Sequence, residues 1–282
     1  MKGTRLSTQK IYTFESNDKI TSTLDQVTRQ RDKIENNKPL KNGAWGAIYN
    51  KLKIDWTYNS NAIEGSTLTY GETVFFLQEG LTVEGKPFKD FLDARNHAEA
   101  IDFLMEVIKD ERQISEGLIK EINALLLSGV KYTEAMDQFG QKVKKPATPG
   151  EYKKLPNHVL QMDGTIHYYV EPLQVPAQMK EMCTWVNTHL DTLHPVVVGA
   201  IAHYNFVRIH PFDDGNGRGA RILMNLILMR KGYPVAIVKN EKRRQYLTAL
   251  READRGDLSS FVLFIAESLQ ATQDMILDEM QR

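Results

Sequence analysis

The sequence contains one cysteine, Cys183, in 282 residues. A disulfide within the chain is therefore excluded, and so low a cysteine content is typical of a reducing compartment, which predicts a cytoplasmic location. Cys183 follows Met182 and precedes Val186 by three positions, in an apolar helical pattern. We therefore interpret it as a small buried side chain and not as a nucleophile.

The chain also lacks an excess of either charge. Lys plus Arg and Asp plus Glu both number 36, so neither a nucleic acid nor a membrane surface is expected as a partner. No apolar run approaches the roughly 18 residues that indicate a membrane-spanning helix. The polar residues that follow Met1 do not resemble a signal peptide.

Strand patterns are scarce as well, and most of the chain has helical periodicity. The pattern predicts helices over residues 20–34, 44–58, 72–77, 86–108, 116–127, 174–190, 196–209, 222–229, 241–253 and 258–269. Asp163-Gly164 lies between two β-prone runs and predicts a hairpin, the only strand signal that we find. The predicted fold class is therefore all-α, with one small β-hairpin.

The most informative stretch is His210-Pro-Phe-Asp-Asp-Gly-Asn-Gly-Arg-Gly-Ala-Arg221. It lies between two apolar runs, 196–209 and 222–229, that are long enough to be buried helices. A charged, glycine-rich loop between buried helices is costly unless it binds a ligand. This stretch is therefore the candidate functional site.

The residue types in this loop favour phosphate chemistry. Glycines such as Gly215 and Gly217 let the backbone approach a ligand closely, and a helix that begins near Gly215 would point free N–H groups at an anion. Arg218 and Arg221 are three residues apart, on one helical face, and can bind further phosphate oxygens. A carboxylate beside such a site can recruit Mg²⁺, and His210 can accept a proton near pH 7.

Two other interpretations of the loop are weaker. A calcium loop that starts at Asp214 would need an oxygen ligand at position five and a glutamate at position twelve, where Arg218 and Asn225 stand. A solvated turn with chance charges does not fit the apolar flanks. His203 lies two helical turns before His210, but no third ligand is spaced for a metal, so a packed histidine is predicted.

The stretch 210–221 matches, at every specified position, the signature of the Fic family, His-x-Phe-x-(Asp/Glu)-Gly-Asn-Gly-Arg-x-x-Arg. The similarity covers about residues 115–282. Fic proteins are helical domains that mostly transfer AMP from ATP to a hydroxyl group of a target protein. Relatives that act as kinases carry lysine in place of the second glycine of the signature, and Gly217 argues against that branch.

The resemblance implies a role for each residue of the signature. His210 resembles the general base that deprotonates the target hydroxyl, and Asp214 resembles the ligand of Mg²⁺ or Mn²⁺. Arg218 resembles a contact to the transferred end of the triphosphate, and Arg221 the residue that binds the γ-phosphate. The implied nucleotide-binding residues are Asp213, Gly215, Asn216, Gly217, Arg218 and Arg221.

A second motif precedes the first. Ser60-Asn-Ala-Ile-Glu-Gly65 can be interpreted simply as a helix end, because Gly65 offers a C-cap. It also resembles the Fic inhibitory motif, (Ser/Thr)-x-x-x-Glu-(Gly/Asn), whose glutamate contacts the γ-phosphate arginine. The resemblance pairs Glu64 with Arg221 and gives Ser60 to the same inhibitory element. A carboxylate and a phosphate would then compete for one guanidinium.

Two further regions are assigned through the resemblance. The hairpin, within a segment of about 150–172, resembles the Fic flap that holds the target segment as an added strand. Thr165, Ile166 and His167 are the flap residues expected nearest to the nucleotide. Tyr246 resembles an aromatic residue that lies against the adenine. Asp254 stands where many relatives carry asparagine, which leaves adenine selectivity open.

The sequence thus predicts an N-terminal helical region, 1–110, that carries the inhibitory motif, and a Fic core, 111–282. The expected function is a protein adenylyltransferase that uses ATP and Mg²⁺ on a Ser, Thr or Tyr hydroxyl of a target protein, with the protein itself as one option. Removal of AMP from such a target and a nucleotide-binding regulatory module without turnover are the alternatives. The target and the oligomeric state are left open, with a homodimer among the options.

Overall fold

The computed structural model describes residues 10–37, 44–136, 141–160 and 166–281. These residues form ten α-helices and four short β-strands. The helices are α1 (Asp18–Asn36), α2 (Ala44–Ile63), α3 (Tyr70–Glu79), α4 (Phe88–Lys109), α5 (Glu116–Leu126), α6 (Val175–His189), α7 (Pro195–Ile209), α8 (Asn216–Arg230), α9 (Arg243–Asp254) and α10 (Ser259–Met280). The strands are β1 (Tyr132–Met136), β2 (Lys142–Pro146), β3 (Val159–Leu160) and β4 (Ile166–His167).

The all-α prediction is confirmed, and the predicted helices are all present. The main difference is length, since α10 continues to Met280 where the periodicity predicted an end near residue 269. Its second half buries polar side chains, including Gln273, which donates from Nε2 to the Val27 carbonyl of α1 at 2.9 Å. An apolar pattern cannot detect buried positions that carry polar residues.

The strand prediction is half right. β3 and β4 pair antiparallel on either side of the predicted Asp163-Gly164 turn, which itself lies outside the described residues. The expectation that this was the only strand signal is wrong, because β1 and β2 form a second antiparallel hairpin. The sequence Lys142-Val-Lys-Lys-Pro146 of β2 has no apolar alternation, and most of the hairpin side chains that the structure describes are exposed. Alternation appears in a sequence only when one strand face is buried.

The helices α7 and α8 form the centre of the molecule. Both are buried along nearly their whole length, and residues 210–215 connect them. Gly199 allows the close approach, because a Cβ atom at this position would lie 3.2 Å from Met224 Cγ and 3.4 Å from the Met224 carbonyl oxygen. The connecting loop is therefore fixed at both ends by rigid, packed helices.

The N-terminal helices pack against the core helices. Ile34, Ile48 and Trp56 share one apolar cluster with residues of α4, α5 and α8, while Ile20 and Val27 share another with α10. This packing leads α2 across the molecule, so that its last turn lies beside the beginning of α8.

The division of the chain into an N-terminal region, 1–110, and a core, 111–282, stays a prediction. Among the described residues, no helix is long and apolar enough to cross a membrane.

Gly199→Val should destabilise the protein, because the added side chain collides with Met224 at the α7–α8 contact. Overpacking of this kind costs about 1–3 kcal/mol. The matched control is Gly46→Val in α2, where a Cβ would meet nothing within 4 Å and where valine is a slightly better helix former than glycine. Urea unfolding measures both variants, and equal midpoints would contradict the close contact.

Candidate active site

His210 is the C-cap of α7 and adopts a left-handed backbone conformation, with φ 51° and ψ 60°. This region is unusual for a residue with a side chain. The His210 N–H donates to the Phe206 carbonyl at 2.9 Å. The turn directs the chain out of α7 and places the imidazole beside the beginning of α8.

The His210 ring is held in an apolar, aromatic environment. Tyr169, which follows β4, stacks on it with 3.9 Å between ring centroids and an interplanar angle of 22°. Burial, and then the positive charge of Lys153, lowers the pKa of His210 to about 3. A hydrogen bond with the Val207 backbone acts in the opposite direction but is outweighed, so the imidazole is neutral at physiological pH. A neutral imidazole is the form that accepts a proton.

The beginning of α8 has the features of an anion-binding site. Gly215 is the N-cap with φ 79°, a left-handed conformation that glycine adopts without strain. The first N–H groups of the helix have no acceptor inside the helix and carry the positive end of its dipole. Gly217, in the first turn of α8, lies against the Glu64 carboxylate, because a Cβ atom on Gly217 would collide with that carboxylate.

Arg221 lies on α8 one turn further and is 1% exposed. Its Nε donates to Ser60 Oγ at 3.0 Å, and its Nη2 donates to the Ser60 carbonyl at 2.8 Å. The same Nη2 donates to Glu64 Oε1 at 2.7 Å. Nη1 makes no hydrogen bond of good geometry with the described residues, although the Tyr246 hydroxyl also interacts with the guanidinium. A buried guanidinium with a donor that is not well satisfied can accept an anionic ligand.

Glu64 lies just after α2, and its side chain is 43% exposed although its partner Arg221 is buried. The carboxylate can therefore leave the guanidinium without any opening of the core. Burial would raise the pKa of Glu64, but the charges of Arg221, Arg218 and Arg243 outweigh it and lower the pKa below its ordinary value. Gly65 has φ 97° and follows the end of α2, as the helix-end interpretation of this motif predicts. The ion pair between Glu64 and Arg221 is present as well.

Arg218 forms a second buried ion pair. Its Nη1 donates to Asp93 Oδ1 of α4 at 2.7 Å, and the two side chains are 3% and 8% exposed. Its Nη2 lies 3.4 Å from Asp214 Oδ1, and its Nε is buried without a partner among the described residues. Glu64, Asp214 and Arg218 all line a cavity of about 840 Å³, which gives a ligand access to the anion site.

Asp214 is the residue that fits a metal ion. Its side chain is 32% exposed at the mouth of the anion site, and its Oδ1 also accepts from the Gly215 N–H at 2.6 Å. Among the described residues no three metal-ligating side chains cluster. Mg²⁺ usually binds proteins through one or two carboxylates together with substrate phosphates and water. A single carboxylate beside a phosphate site therefore fits this ion.

Two residues of the motif have mainly internal contacts. The Asp213 carboxylate accepts from Lys145 of β2 and from Thr148 Oγ1, at 2.5 and 3.3 Å. The Asn216 side chain pairs with both the N–H and the carbonyl of Phe212, at 2.9 and 2.8 Å. Both side chains therefore hold the shape of the loop. Direct contact of Asp213 and Asn216 with a nucleotide stays a prediction.

A second cavity, of about 320 Å³, is lined in part by Tyr169. Its polar wall contains Asp254, the last residue of α9, whose Oδ1 accepts from the Tyr204 hydroxyl at 3.3 Å. Asp254 Oδ2 is 3.9 Å from His167 Nδ1 of β4. Burial raises the pKa of Asp254, although His167 and Tyr204 act in the opposite direction. His167 and Asp254 are thus brought together, as expected for residues of one pocket.

Three other residues are predicted to bind the nucleotide, namely Tyr246, Ile166 and Thr165. Tyr246 is 3% exposed and contacts His203, with 2.9 Å between its hydroxyl and Nε2. His203 is therefore a packed histidine, as predicted, and Leu247 and Leu250 of α9 line the cavity instead of Tyr246. Ile166 is described only through its backbone pairing with Leu160. Thr165 lies outside the described residues.

Several residues that support the site carry no sequence signal. Asp93 pairs with Arg218, and Asn123 of α5 donates from Nδ2 to the Asp214 carbonyl at 3.0 Å. Lys153, Asn157 and Tyr169 contact the loop from the segment around the flap. They come from distant parts of the chain, and only the recurrence of polar residues in otherwise apolar helices hints at Asp93 and Asn123.

The fold and the site define a family. The Fic/DOC family matches residues 113–228, and most of the chain superposes on Fic-domain structures. The chain belongs to the Fic/DOC family. The helical fold with its hairpin beside the loop of residues 210–215 is the Fic fold.

Individual relatives extend the similarity over most of the chain. The chain is 32% identical over 260 residues to the protein adenylyltransferase Fic of Drosophila erecta, which covers 90% of this chain and 48% of that protein. A Fic domain containing signaling protein of Bacteroides thetaiotaomicron superposes with a TM-score of 0.78 at 30% identity, over 92% of this chain and 97% of that one. Fic-1 of C. elegans superposes with a TM-score of 0.77 at 29% identity, over 93% and 73% of the two chains. The chain spans about half the length of the curated relatives that it matches.

Asp93→Ala should destabilise the protein by about 3–5 kcal/mol, because it leaves the buried Arg218 guanidinium without its main counter-charge. Asp102→Ala on the same helix is the matched control. Asp102 is 55% exposed and pairs with Lys53 at 2.5 Å, and an exposed pair contributes about 0–1 kcal/mol. Urea unfolding of both variants measures the difference. Equal losses would show that the Asp93 pair is not what holds Arg218.

Proposed function

We propose that this protein is an adenylyltransferase that moves AMP from ATP to a hydroxyl group of a target protein, and that Glu64 inhibits it. The observation that carries the proposal is the buried Arg221 guanidinium at the beginning of α8. It is only partly satisfied by protein groups and is contacted by a displaceable carboxylate. The named relatives, such as protein adenylyltransferase Fic of Drosophila erecta, support the same activity.

The two cavities suggest how ATP would lie. The triphosphate suits the beginning of α8, where the helix N-terminus, Arg218 and Arg221 supply donors and positive charge. The nucleoside suits the cavity lined by His167 and Asp254. His210 lies between the two, because Tyr169 stacks on its ring and also lines the nucleoside cavity. The α-phosphorus would then be next to the imidazole.

The reaction in this arrangement is an in-line displacement. The target hydroxyl oxygen attacks the α-phosphorus, the bond from the α-phosphorus to the bridging oxygen of the β-phosphate breaks, and pyrophosphate leaves. His210 accepts the hydroxyl proton. Its pKa of about 3 in the free protein keeps it neutral beforehand, and the negative phosphates of a bound nucleotide would raise that pKa and strengthen the base.

Asp214 would hold Mg²⁺ or Mn²⁺ through its partly exposed carboxylate. When bound, the ion supplies positive charge to the phosphate oxygens, which lowers the repulsion between them and the attacking oxygen. The protein's own groups bind and orient the phosphates. Arg218 and Arg221 orient the phosphates, and the close approach at Gly217 lets the helix N–H groups reach them.

Inhibition follows from competition for one guanidinium. Glu64 occupies Arg221 Nη2 at 2.7 Å and lies against Gly217, where a phosphate oxygen would bind. Because the carboxylate pKa is lowered, Glu64 is ionised throughout the physiological range and inhibits throughout that range. The flap strand β4 lies beside His210 through Tyr169, so a target segment that pairs with the flap would bring its hydroxyl to the site.

His210→Ala should reduce AMP transfer by about 10²–10⁴ in rate, because the reaction loses its general base. ATP binding should stay within a few-fold of the parent protein, since the helix N-terminus and both arginines remain. Transfer is measured with labelled ATP in the Glu64→Gly background, and binding by calorimetry. Labelling at the parent rate would remove His210 from the role of base.

Glu64→Gly should raise labelling with AMP at least about tenfold, equivalent to about 1.4 kcal/mol, because the competing carboxylate is gone. Glu64→Gln should give an intermediate rate, since it weakens the charged pair. Glu64→Gly combined with Arg221→Ala should be inactive. The ratio of the Glu64→Gly rate to the wild-type rate should be constant between about pH 6 and 8, because the carboxylate titrates well below that range.

Glu99→Gln on α4 is the matched control for Glu64→Gln, since Glu99 is 51% exposed and has only a surface pair with Arg95. It should label at the wild-type rate. Equal labelling by the wild type and by Glu64→Gly would refute the inhibitory role. If purified AMP-modified target releases AMP only with the wild type, removal of AMP replaces transfer as the main activity.

A further inference from the structure

A short segment, residues 153–157, binds four consecutive carbonyl groups of the catalytic loop. The Lys153 N–H donates to the Pro211 carbonyl at 2.8 Å, and Lys153 Nζ lies 3.4 Å from the Ile209 carbonyl. Asn157 Nδ2 donates to the Phe212 carbonyl at 2.9 Å and lies 3.4 Å from the His210 carbonyl. Lys153 Nζ also donates to Asn157 Oδ1 at 2.6 Å, which joins the two side chains.

The contacts surround a backbone conformation that needs support. His210 is one of two residues other than glycine with positive φ among the described residues. Such a conformation persists only where the surroundings specify it strongly. The carbonyls on both sides of His210 are bound by this one segment, so its contacts fix the peptide groups that determine φ and ψ of His210.

Lys153 is unusual because it is 3% exposed. Burial lowers its pKa to about 8, although Glu171 and Asp213 act in the opposite direction. It therefore still carries its charge at pH 7. The positive charge lies close to the catalytic ring, because Lys153 Nζ is 5.8 Å from the ring centroid of Tyr169, the residue that stacks on His210.

We propose that Lys153 and Asn157 are positioning residues for His210. Together they hold its backbone in the left-handed turn, and the Lys153 ammonium adds to burial in opposing protonation of the neighbouring imidazole. The charged groups that act on His210 support this assignment. After burial, Lys153 and then the flap residue His167 lower its pKa. The proposal rests on the proposed function, in which His210 is the base.

The test uses four variants of the full chain, each in the Glu64→Gly background. Lys153→Met removes the charge and retains the length, Lys153→Arg retains the charge, and Asn157→Ala removes two of the carbonyl contacts. Lys154→Met is the matched control, since the neighbouring Lys154 side chain is 79% exposed and pairs only with Glu151. The readouts are kcat and kcat/KM for AMP transfer as a function of pH, and the pH titration of His210 by NMR of histidine-labelled protein.

Lys153→Met should lower kcat about tenfold or more and move the acidic limb of the pH profile upward by roughly half a unit or more, because the like charge that opposes protonation is lost. The NMR titration of His210 should move in the same direction. Lys153→Arg should restore both readouts. Asn157→Ala should lower kcat and leave the acidic limb in place, and Lys154→Met should change neither.

The proposal is overturned if folded Lys153→Met has the kcat and pH profile of Lys154→Met, or if kcat falls while the acidic limb and the NMR titration stay in place. If Lys153→Met does not fold, an unchanged kcat in Asn157→Ala overturns the proposal instead. The NMR titration needs no turnover. A protein without AMP transfer, in which the Lys153→Met shift of His210 is still seen, would refute the proposed function and leave the positioning role intact.

Discussion

The structure depends on one buried cation. Arg221 is 1% exposed and lies where the first turn of α8 already has a surplus of positive charge. Such a group needs a negative partner in the low-dielectric interior. Glu64 supplies the negative charge, and Ser60 supplies two neutral acceptors, both from the end of α2. The shape of the candidate site and the proposed inhibition both depend on how that guanidinium is satisfied.

The pair between Arg221 and Glu64 is asymmetric, and this asymmetry suits the inhibitory role that we propose for Glu64. The arginine is rigid and buried, whereas the glutamate is 43% exposed. An incoming phosphate therefore displaces only the glutamate and leaves the packed helices as they are. Because Nη1 makes no hydrogen bond of good geometry, a phosphate can offer the guanidinium more hydrogen bonds than the carboxylate does. In the proposed function, the free-energy difference between the inhibited and the active state can thus be small.

The loop of residues 210–215 is held in place by α7 and α8 and also by residues outside these two helices. Asp213 is bound by the hairpin strand β2, and the carbonyls on either side of His210 are bound by Lys153 and Asn157. Tyr169, which follows strand β4 of the flap, stacks on the His210 imidazole. These groups come from residues 141–169, the part of the chain with the least regular sequence pattern. Precise placement of a catalytic group needs such external support.

The sequence by itself determined the helices, since apolar residues at helical spacing predict buried faces, and it determined the chemistry of His210, Arg218 and Arg221, which are adjacent in one motif. It also indicated Glu64, through a motif of fixed spacing. Only the tertiary structure decided that Asp93 neutralises Arg218, that a second hairpin binds Asp213, and which face of His210 is covered. The physical reason is that these contacts join residues far apart in the chain, and neither periodicity nor local spacing records which distant side chains folding brings together.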